Sequence, residues 1–257
     1  MIQLVLVGAA GRMGRAVEQA VAGSSGFVIK AQVDRAERRL AGAPGWTVDA
    51  AEVLGAGDVA IEFSDPAACA ALAMLCAERG AGLVSGTTGL DAAQDEVVCA
   101  AARRVAVVRG ANFSLGVAVL RRALRTALAA LPSGWDVEIV ERHHRHKADC
   151  PSGTALALVA DIRLGGEGGA PRFGRGQGRT GPRAVGEIGV HSVRGGTWVG
   201  DHTVLLAGEG EWLELRHVAQ DRLAFAHGAL AAARFVAVAA PGLYTLEDVL
   251  AAGSGRP

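Results

Sequence analysis

Residues 142–147 form a run of basic and titratable side chains, the segment of this sequence with the greatest capacity for chemistry. An imidazole takes or gives a proton near neutral pH, and an ammonium group adds positive charge and a second proton source. The run follows an apolar, strand-like segment, Val137–Val140, and consists of Arg142, His143, His144, Arg145, His146 and Lys147.

A second anion-binding device follows at once in Asp149–Thr154. A helix is predicted from about Thr154, so the hydroxyl and backbone N–H groups of Ser152, Gly153 and Thr154 point at a carboxylate. Because both devices lie within residues 142–154, the pattern favours an anionic small-molecule substrate with more than one carboxylate group.

Three other interpretations of the basic segment compete with this one. A run of charges is most often a solvated loop. A metal site is conceivable because imidazoles lie two and three residues apart, but no Cys or well-placed carboxylate completes a ligand set, so we predict no metal. Nucleic-acid binding is disfavoured, because the formal net charge is zero and no aromatic residues are interleaved with the basic ones.

A glycine-rich turn near the N-terminus lies between a predicted strand and a predicted helix; it reads Gly8-Ala9-Ala10-Gly11-Arg12-Met13-Gly14. Such a turn places backbone N–H groups beside a helix N-terminus and favours a pyrophosphate. The spacing differs from strict GxGxxG, and a turn of this kind also serves simply to reverse the chain.

Asp34 and Arg35 make the interpretation of this turn more specific. Asp34 lies 20 residues beyond Gly14 at the end of the second predicted strand, where a carboxylate accepts hydrogen bonds from the adenosine ribose. Arg35 follows and is placed to pair with a 2′-phosphate. We therefore predict NADPH as cofactor with NADH tolerated, against the alternative of a solvated charged turn over residues 34–39.

A third small turn, Gly86-Thr87-Thr88-Gly89, follows another predicted strand. The carboxyl ends of the strands face the ligand crevice in an open α/β sheet. Two hydroxyl groups there suit contacts to the ribose or the nicotinamide amide, and a plain turn is the alternative.

The elements that must position these groups alternate between strand and helix up to Asn112, and then the rhythm changes. This alternation predicts a doubly wound parallel sheet, and the antiparallel-looking strands that follow predict a smaller α+β domain. Residues 165–181 are rich in Gly and Arg and are predicted to form a flexible connection, and the last helix is predicted to return to the first half. The predicted strands are 2–7, 28–33, 59–63, 82–85, 105–108, 136–141, 187–194, 202–206 and 212–217, and the predicted helices are 12–22, 66–79, 91–102, 114–131, one from about 154, and 223–239.

The composition is that of a soluble globular protein, with 50% hydrophobic and 20% charged residues. Equal numbers of basic and acidic residues leave no overall field that attracts nucleic acid or an anionic membrane. No eighteen-residue apolar run and no basic leader occur, so neither a signal peptide nor a membrane span is predicted. The four cysteines lack CxxC spacing, which favours reduced thiols in a cytoplasm.

The segment Glu141–Ala155 resembles the signature of the 4-hydroxy-tetrahydrodipicolinate reductase (dihydrodipicolinate reductase) family of the lysine and diaminopimelate pathway. The resemblance spans nearly the whole chain, because further blocks resemble the family in the same order and with similar spacing. These blocks are Gly8–Gly14, Asp34-Arg35, Gly86–Gly89, Ala111–Ser114, Val199–His202 and Arg222–Ala229.

The resemblance implies a Rossmann-type dinucleotide-binding domain over residues 1–113 and 223–257. It implies a substrate-binding and oligomerisation domain with a mixed or antiparallel sheet over residues 114–222, which usually builds a homotetramer. The implied reaction is the NAD(P)H-dependent reduction of the cyclic imine formed by loss of water from 4-hydroxy-tetrahydrodipicolinate. Hydride passes from C4 of the nicotinamide to the ring, and a proton is added to complete tetrahydrodipicolinate.

The resemblance also implies roles for particular residues. His143 is the candidate acid/base, and Lys147 is the candidate proton donor and carboxylate partner. The implied substrate-binding residues are His144, Ser152, Gly153, Thr154 and Arg222. The implied cofactor-binding residues are Gly8, Gly11, Arg12, Met13, Gly14, Asp34, Arg35, Gly86, Thr87, Thr88, Ala111, Asn112 and Phe113.

Two residues depart from the family pattern. Arg142 stands where a smaller or apolar residue is expected, and its charge is expected to alter nearby pKa values. Cys150 stands where Ala is usual. A paralogue that binds NADPH without turnover is disfavoured, since it needs no proton donor beside an anion-binding turn. Another imine or oxo-acid reductase on the same scaffold stays an alternative.

Overall fold

The computed structural model describes residues 1–38, 45–166 and 168–253. The chain forms two units: the first comprises Met1–Leu115 and the segment that begins at Arg222, and the second comprises Gly116–Asp221. The charged turn considered for residues 34–39 and the predicted first domain, which runs to residue 257, both extend beyond the described residues.

The first unit is built on a seven-stranded sheet in which all the strand pairings are parallel. Its strands are β1 (Ile2–Val7), β2 (Phe27–Val33), β3 (Trp46–Thr47), β4 (Val59–Glu62), β5 (Gly82–Ser85), β6 (Ala106–Arg109) and β12 (Gly242–Tyr244). The strands lie in the spatial order β3-β2-β1-β4-β5-β6-β12. The chain adds β2 and β3 on one side of β1 and then continues with β4 on the other side. This order confirms the doubly wound, Rossmann-type sheet, in which ligands bind at the strand carboxyl ends beside such a change of side.

Local chemistry determines where the helices of this unit begin. They are α1 (Arg12–Ala22), α2 (Pro66–Arg79), α3 (Ala92–Ala102), α6 (Leu223–Val236) and α7 (Leu246–Gly253). Asp65 caps α2 by accepting the N–H of Ala68, and Asp91 and Gln94 form a capping box on α3. α6 lies within the helix predicted at 223–239, and it packs against α1 and β5. No helix in the described part of the chain is long and apolar enough to cross a membrane.

The second unit contains a five-stranded mixed sheet and two helices. Its elements are α4 (Leu115–Ala130, which begins at the last residue of the first unit), β7 (Asp136–His143), α5 (Gly153–Leu164), β8 (Pro171–Phe173), β9 (Ile188–Arg194), β10 (Gly200–Ala207) and β11 (Trp212–Ala219). The spatial order is β11-β10-β7-β9-β8. β7 pairs antiparallel with β10 and parallel with β9. The predicted α+β architecture is thereby confirmed.

Residues 187–194 were predicted to form an antiparallel series with the two strands that follow, but β7 lies between β9 and β10 in the sheet. β9 runs parallel to β7, because α5 and the connection after it carry the chain back along the sheet before β9 begins. Only β10 and β11 form the antiparallel pair that the turn residues between them indicated.

One face of this mixed sheet is buried by the helices. Side chains alternate along β7, so Val137 and Ile139 pack in the same apolar cluster as Leu158 of α5. The same alternation places Glu141 and His143, two and four residues further on, on this buried face. The strand thus delivers two titratable side chains to the interior at its carboxyl end.

Several short elements of the described residues lie outside the predicted ones, namely β3, β8, β12, α7 and two 3-10 helices, Ala36–Arg38 and Ala50–Glu52. β8 falls inside residues 165–181, which were predicted to be a flexible connection. Ion pairs from distant residues stabilise the strand pairing there: Arg172 and Arg175 both contact Glu187, and Arg183 contacts Glu138. A local composition rich in Gly and Arg carries no sign of these partners, which explains the error.

Candidate active site

The imidazole of His143 lies at the end of β7 beside a buried carboxylate. Nδ1 of His143 is 2.6 Å from Oε2 of Glu141. Glu141 is fully buried, and His143 is 7% exposed. The contact commits Nδ1 to Glu141 and leaves Nε2 as the ring nitrogen that can exchange a proton with a ligand.

Arg194, at the end of β9, forms a bidentate ion pair with Glu141. Nη1 lies 2.7 Å from Oε2, and Nη2 lies 2.8 Å from Oε1. Nη2 also donates to the carbonyl oxygen of Asp149 at 2.7 Å. Burial opposes ionisation of Glu141, but hydrogen bonds from Arg194, Ser192 and His143 outweigh it and lower the pKa of Glu141 to about 2. Glu141 is therefore ionised at neutral pH.

Two neutral imidazoles face each other in this interior. Burial lowers the pKa of His143 and outweighs the raising effect of the Glu141 carboxylate. Burial also lowers the pKa of His202, on β10, to about 4. The two rings meet edge to face with their centroids 5.0 Å apart. Near neutral pH both rings are therefore mainly uncharged.

The first turn of α5 is the predicted carboxylate-binding turn. Ser152 is its N-cap: Oγ accepts the N–H of Ala155 at 3.1 Å, and the backbone N–H of Ser152 donates to Oε1 of Glu141 at 3.1 Å. Oγ also lies 3.0 Å from Nε2 of His202. Gly153 is exposed, and no acidic residue occurs in this turn to oppose an anion.

Lys147 lies in the loop between β7 and α5. Its Nζ is 2.8 Å from Oδ1 of Asp149, and this contact lowers the pKa of the Asp149 carboxyl. The backbone N–H of Lys147 donates to the carbonyl oxygen of His144 at 3.1 Å. The backbone N–H of His144 donates to the carbonyl oxygen of Trp198 at 2.8 Å. Lys147, His144 and Thr154 are each half-buried. These hydrogen bonds fix the backbone of the loop that joins His143 to the predicted carboxylate-binding turn at the start of α5.

The positive charge of Arg142 is balanced on the opposite face of the sheet. Alternation along β7 turns Arg142 away from the face of Glu141, and Nη1 lies 2.9 Å from Oδ2 of Asp201. Asp201 also receives two hydrogen bonds from Arg216. Burial opposes ionisation of Asp201, but Arg216 and Arg142 together lower its pKa. The expected influence of Arg142 on nearby pKa values therefore acts on Asp201.

The described residues contain no group of three or more His, Cys, Asp or Glu side chains placed to hold a metal ion. Within the basic segment, the rings of His144 and His146 are 6.3 Å apart and tilted by 41°.

In the N-terminal glycine turn, a side chain at Gly8 or at Gly14 would collide with the backbone. A Cβ atom at Gly8 would lie 2.5 Å from the carbonyl oxygen of Phe63, and Gly8 has a φ of +78°. A Cβ atom at Gly14 would lie 2.4 Å from the carbonyl oxygen of Ala9. Both positions require glycine, because real Cβ contacts are not this short.

The start of α1 fits an anion from outside the chain. α1 begins after Gly11 with no side-chain cap and no acidic residue in its first turn. By contrast, α2 and α3 each begin with a capping aspartate. Helix N-termini of this kind favour anions, which is the basis of the role predicted for the first-turn N–H groups of Arg12 and Met13.

Asp34 links the ends of β1 and β2. Its Oδ2 accepts the backbone N–H of Ala10 at 2.9 Å, and its Oδ1 accepts that of Arg35 at 2.8 Å. The guanidinium of Arg35 is largely exposed, with Nη2 3.7 Å from Oδ2 of Asp65. The predicted ribose-binding carboxylate is thus held by the glycine turn, and the predicted phosphate-binding cation lies at the same sheet edge.

A second buried carboxylate, Glu62 at the end of β4, organises the polar turns at that edge. Its Oε2 accepts the hydroxyl of Ser64 at 2.6 Å and that of Thr87 at 2.8 Å, and its Oε1 accepts the hydroxyl of Ser85. The Thr87 hydroxyl also accepts the N–H of Ser64 at 3.0 Å. The side chain of Thr87 is therefore occupied within the protein, whereas Thr88 is exposed.

Aromatic packing supports the remaining predicted cofactor residues. Phe113 is 2% exposed and meets the ring of Phe63 edge to face at 5.7 Å. A Cβ atom at Gly86 would lie 2.0 Å from that Phe63 ring. Ala111 is exposed and Asn112 half-buried, with Oδ1 of Asn112 accepting a backbone N–H two residues further on at 2.7 Å. Phe113 thus acts as packing, while Ala111 and Asn112 lie at the surface.

Arg222, predicted to orient the substrate, belongs to the first unit. It precedes α6, and its carbonyl oxygen accepts the N–H groups of Phe225 and Ala226. The structure therefore groups Arg222 with the parallel sheet and not with β7 and α5.

Four residues of the two sites were assigned no individual role from the sequence: Glu141, Arg194, His202 and Glu62. Two of them carried a detectable signal, since Glu62 and Glu141 are acids at the ends of apolar strand segments. The spacing of two residues between Glu141 and His143 also predicts a shared face on a strand. Arg194 carried no local signal, and His202 stood only at the end of the Val199–His202 family block. The sheet register alone brings these two residues to Glu141.

Comparison with known proteins agrees with this geometry. The sequence matches the family described as dihydrodipicolinate reductase, N-terminus, over residues 2–113, and dihydrodipicolinate reductase, C-terminus, over residues 116–250. A 4-hydroxy-tetrahydrodipicolinate reductase of Thermomicrobium roseum is 45% identical, covering 97% of this chain and 100% of the relative. One of Nitrosomonas eutropha is 40% identical, covering 97% and 98%.

A solved structure shows the same fold. The dipicolinate-bound dihydrodipicolinate reductase of Paenisporosarcina sp. TG-14 superposes with a TM-score of 0.80 at 24% sequence identity, covering 96% of this chain and 99% of that one.

One unit is a Rossmann-type parallel sheet with a glycine turn at the start of its first helix, and the other carries a buried histidine close to a helix N-terminus. This combination is typical of an oxidoreductase that uses a dinucleotide. The matches over both halves make the class specific. The chain belongs to the dihydrodipicolinate reductase family, whose curated members are named 4-hydroxy-tetrahydrodipicolinate reductase. The predicted reductase function in lysine and diaminopimelate biosynthesis is thereby confirmed.

Proposed function

We propose that His143 and Lys147 provide the proton chemistry of this reductase, with NADPH or NADH as the reductant. The observation that carries the proposal is the position of Glu141. Its buried carboxylate binds both His143 and the N–H of Ser152, so an imidazole and an anion-binding turn are fixed side by side. This arrangement suits a ring that bears carboxylates and must gain a proton.

The turn at the start of α5 binds one carboxylate of the substrate. Backbone N–H groups at Gly153 and Thr154, the Ser152 N-cap and the helix dipole all favour a negative charge there. Lys147 and His144 contact a second carboxylate from the preceding loop. Two separate positive sites favour a dicarboxylate over a monocarboxylate, because each removed contact to a charged group costs about 1.5–3 kcal/mol.

The first unit holds the dinucleotide at the carboxyl ends of its strands. Gly8, Gly11 and Gly14 give the pyrophosphate access to the N–H groups of Arg12 and Met13. Asp34 accepts from the adenosine ribose, and Arg35 pairs with a 2′-phosphate. Gly86, Thr88, the backbone of Thr87, Ala111 and Asn112 form the nicotinamide side, which Phe113 supports by packing. When bound, the dinucleotide supplies the hydride that the ring accepts.

Proton transfer to the ring involves a coupled pair of groups. The Lys147 ammonium gives a proton while it holds a carboxylate, and His143 exchanges protons through Nε2. Burial is the largest cause of the lowered pKa of His143, and the nearby positive charge of Lys147 lowers that pKa further.

Turnover with freshly generated substrate tests this function directly. We expect NADPH or NADH to be oxidised only when 4-hydroxy-tetrahydrodipicolinate is supplied. The loss of cofactor absorbance measures this oxidation. A pyridine monocarboxylate should inhibit much more weakly than dipicolinate, because it leaves one of the two anion contacts empty. Absence of substrate-dependent oxidation with either cofactor would refute the assignment.

Replacing Arg35 with Ala tests whether this residue recognises the 2′-phosphate of NADPH. We expect KM for NADPH to rise by about tenfold or more, since a charge-assisted contact to a phosphate is lost, while KM for NADH changes little. Arg38→Ala, three residues further along the same turn, is the matched control. An unchanged ratio of the two KM values would show that Arg35 does not read this phosphate.

We further propose a homotetramer in the cytoplasm. The open face of the mixed sheet carries exposed apolar side chains on two strands, Val193 on β9 and both Trp212 and Val218 on β11. Exposed apolar groups on one flat face favour association through that face. Reduced cysteines, two of them buried, suit a reducing compartment. Sedimentation velocity distinguishes a tetramer from smaller assemblies.

A further inference from the structure

Glu141 is the meeting point of three segments of the second unit. Its Oε2 accepts Nδ1 of His143 on its own strand and Nη1 of Arg194 on β9. Its Oε1 accepts Nη2 of Arg194 and the backbone N–H of Ser152 at the start of α5. Because both oxygens accept hydrogen bonds, this fully buried carboxylate is well satisfied.

The ionisation of Glu141 determines the tautomer of His143. A carboxylate carries no hydrogen and can only accept, so the hydrogen in the contact at 2.6 Å must belong to Nδ1 of His143. Nε2 of the neutral ring then carries a lone pair. Nε2 lies against Gly200, where a Cβ atom would be only 3.3 Å away, so the absence of a side chain at this position leaves room beside the reactive nitrogen.

We propose that Glu141 is a positioning residue, which holds His143 as the Nδ1–H tautomer and at the same time fixes the anion-binding turn through Ser152. This role rests on the proposed function of His143 as the acid/base. One carboxylate then sets the distance between the proton-exchanging nitrogen and the bound substrate carboxylate, because a shift of Glu141 moves both partners. Arg194 locks the carboxylate from the other side and also holds the carbonyl of Asp149.

The charges around His143 predict the direction in which its pKa changes when Glu141 is replaced. Glu141 on β7 raises the pKa of His143, whereas Arg194 on β9 and Lys147 in the loop lower it, and the neutral ring of His202 on β10 packs against it. Loss of the Glu141 charge removes a raising effect. The part of the kcat–pH profile that reflects protonation of His143 must then move to lower pH.

Glu138 provides a matched control on the same strand. It lies three residues before Glu141 and so faces the other side of the sheet. Like Glu141, it contacts a histidine and an arginine: Oε2 is 2.8 Å from Nε2 of His191, and Oε1 contacts Arg183. Glu138→Gln therefore removes the same kind of ion pair from β7 at a site away from His143.

The experiment compares Glu141→Gln with Glu138→Gln in the full chain. For Glu141→Gln we expect kcat to fall by about 100-fold or more, because positioned proton transfer contributes about 10²–10⁴-fold, and we expect the acidic limb of the kcat profile to move to lower pH. For Glu138→Gln we expect a lower thermal midpoint but a kcat and a pH profile close to those of the wild type. A folded Glu141→Gln variant with the kcat and the limb of the wild type would overturn the proposal.

A spectroscopic measurement keeps the proposal testable if Glu141→Gln fails to fold. In wild-type protein labelled with ¹⁵N-histidine, the His143 signal is identified by its absence in His143→Gln. We expect a protonated Nδ1 and an unprotonated Nε2 near neutral pH, and the reverse tautomer would overturn the positioning role. A wild-type chain without turnover refutes the proposed function instead, whereas turnover with the reverse tautomer refutes only the role of Glu141.

Discussion

Lys147→Met is expected to lower kcat/KM for the dicarboxylate substrate by about a thousandfold, because positioned proton transfer contributes about 10²–10⁴-fold and a carboxylate contact is lost with it. Lys147→Arg separates the two contributions. Arginine keeps the charge but does not release a proton at neutral pH, so KM should largely recover while kcat stays low. Steady-state kinetics with saturating NADPH or NADH measure both constants.

The composition of the chain sharpens this expectation. Of its 26 Lys and Arg residues, only Lys30 and Lys147 are lysine. A lysine in a sequence that otherwise uses arginine is consistent with a need for a cation that can give up its proton. Lys30→Met is the matched control, since Lys30 also pairs with an aspartate, Asp58 at 2.6 Å, but lies in the parallel sheet. If Lys147→Arg turned over as fast as the wild type, Lys147 would not be the proton donor.

Gly14→Ala is expected to weaken dinucleotide binding by about a hundredfold, equivalent to about 2–3 kcal/mol. The new Cβ atom would stand 2.4 Å from the carbonyl oxygen of Ala9 and 2.5 Å from that of Gly8. The turn must therefore move, and its N–H groups move away from the pyrophosphate. Fluorescence titration with NADPH and with NADH measures the Kd values.

Gly23→Ala is the control for this substitution because it lies at the other end of the same helix. Its Cβ atom would have the carbonyl oxygen of Ala20 at 3.9 Å as its nearest neighbour, and its φ is −94°. We expect both Kd values to equal those of the wild type. Circular dichroism of both variants separates a local change in the turn from unfolding. Tight binding by a folded Gly14→Ala variant would contradict the role given to this turn.

Local patterns predicted those parts of the site that lie within one short segment. The strand, glycine turn and helix at residues 2–22 are recognisable because apolar runs, glycine spacing and helical periodicity are all local properties. The same holds for Ser152 at the start of α5, since an N-cap needs only its own helix. The signature from Glu141 to Ala155 supplied the family for the same reason.

Contacts between distant segments were beyond such patterns. Arg194 reaches Glu141, and His202 reaches Ser152, across 53 and 50 residues of sequence. Thr87 seemed a free hydroxyl, but Glu62, 25 residues away, accepts it. The parallel direction of β9 follows from the path of the chain around α5, which no local periodicity encodes.

By itself, the sequence determined the family, the reaction and the alternation of elements, and it predicted roles for His143, Lys147 and the three turn glycines. Tertiary structure alone decided that Glu141 joins His143 to the anion-binding turn, that Arg142 pairs with Asp201, and that the Thr87 hydroxyl is occupied. The physical reason is the same in each case. Residue type and local spacing specify what a group can do, whereas its charge state and orientation depend on burial and on partners supplied by other strands.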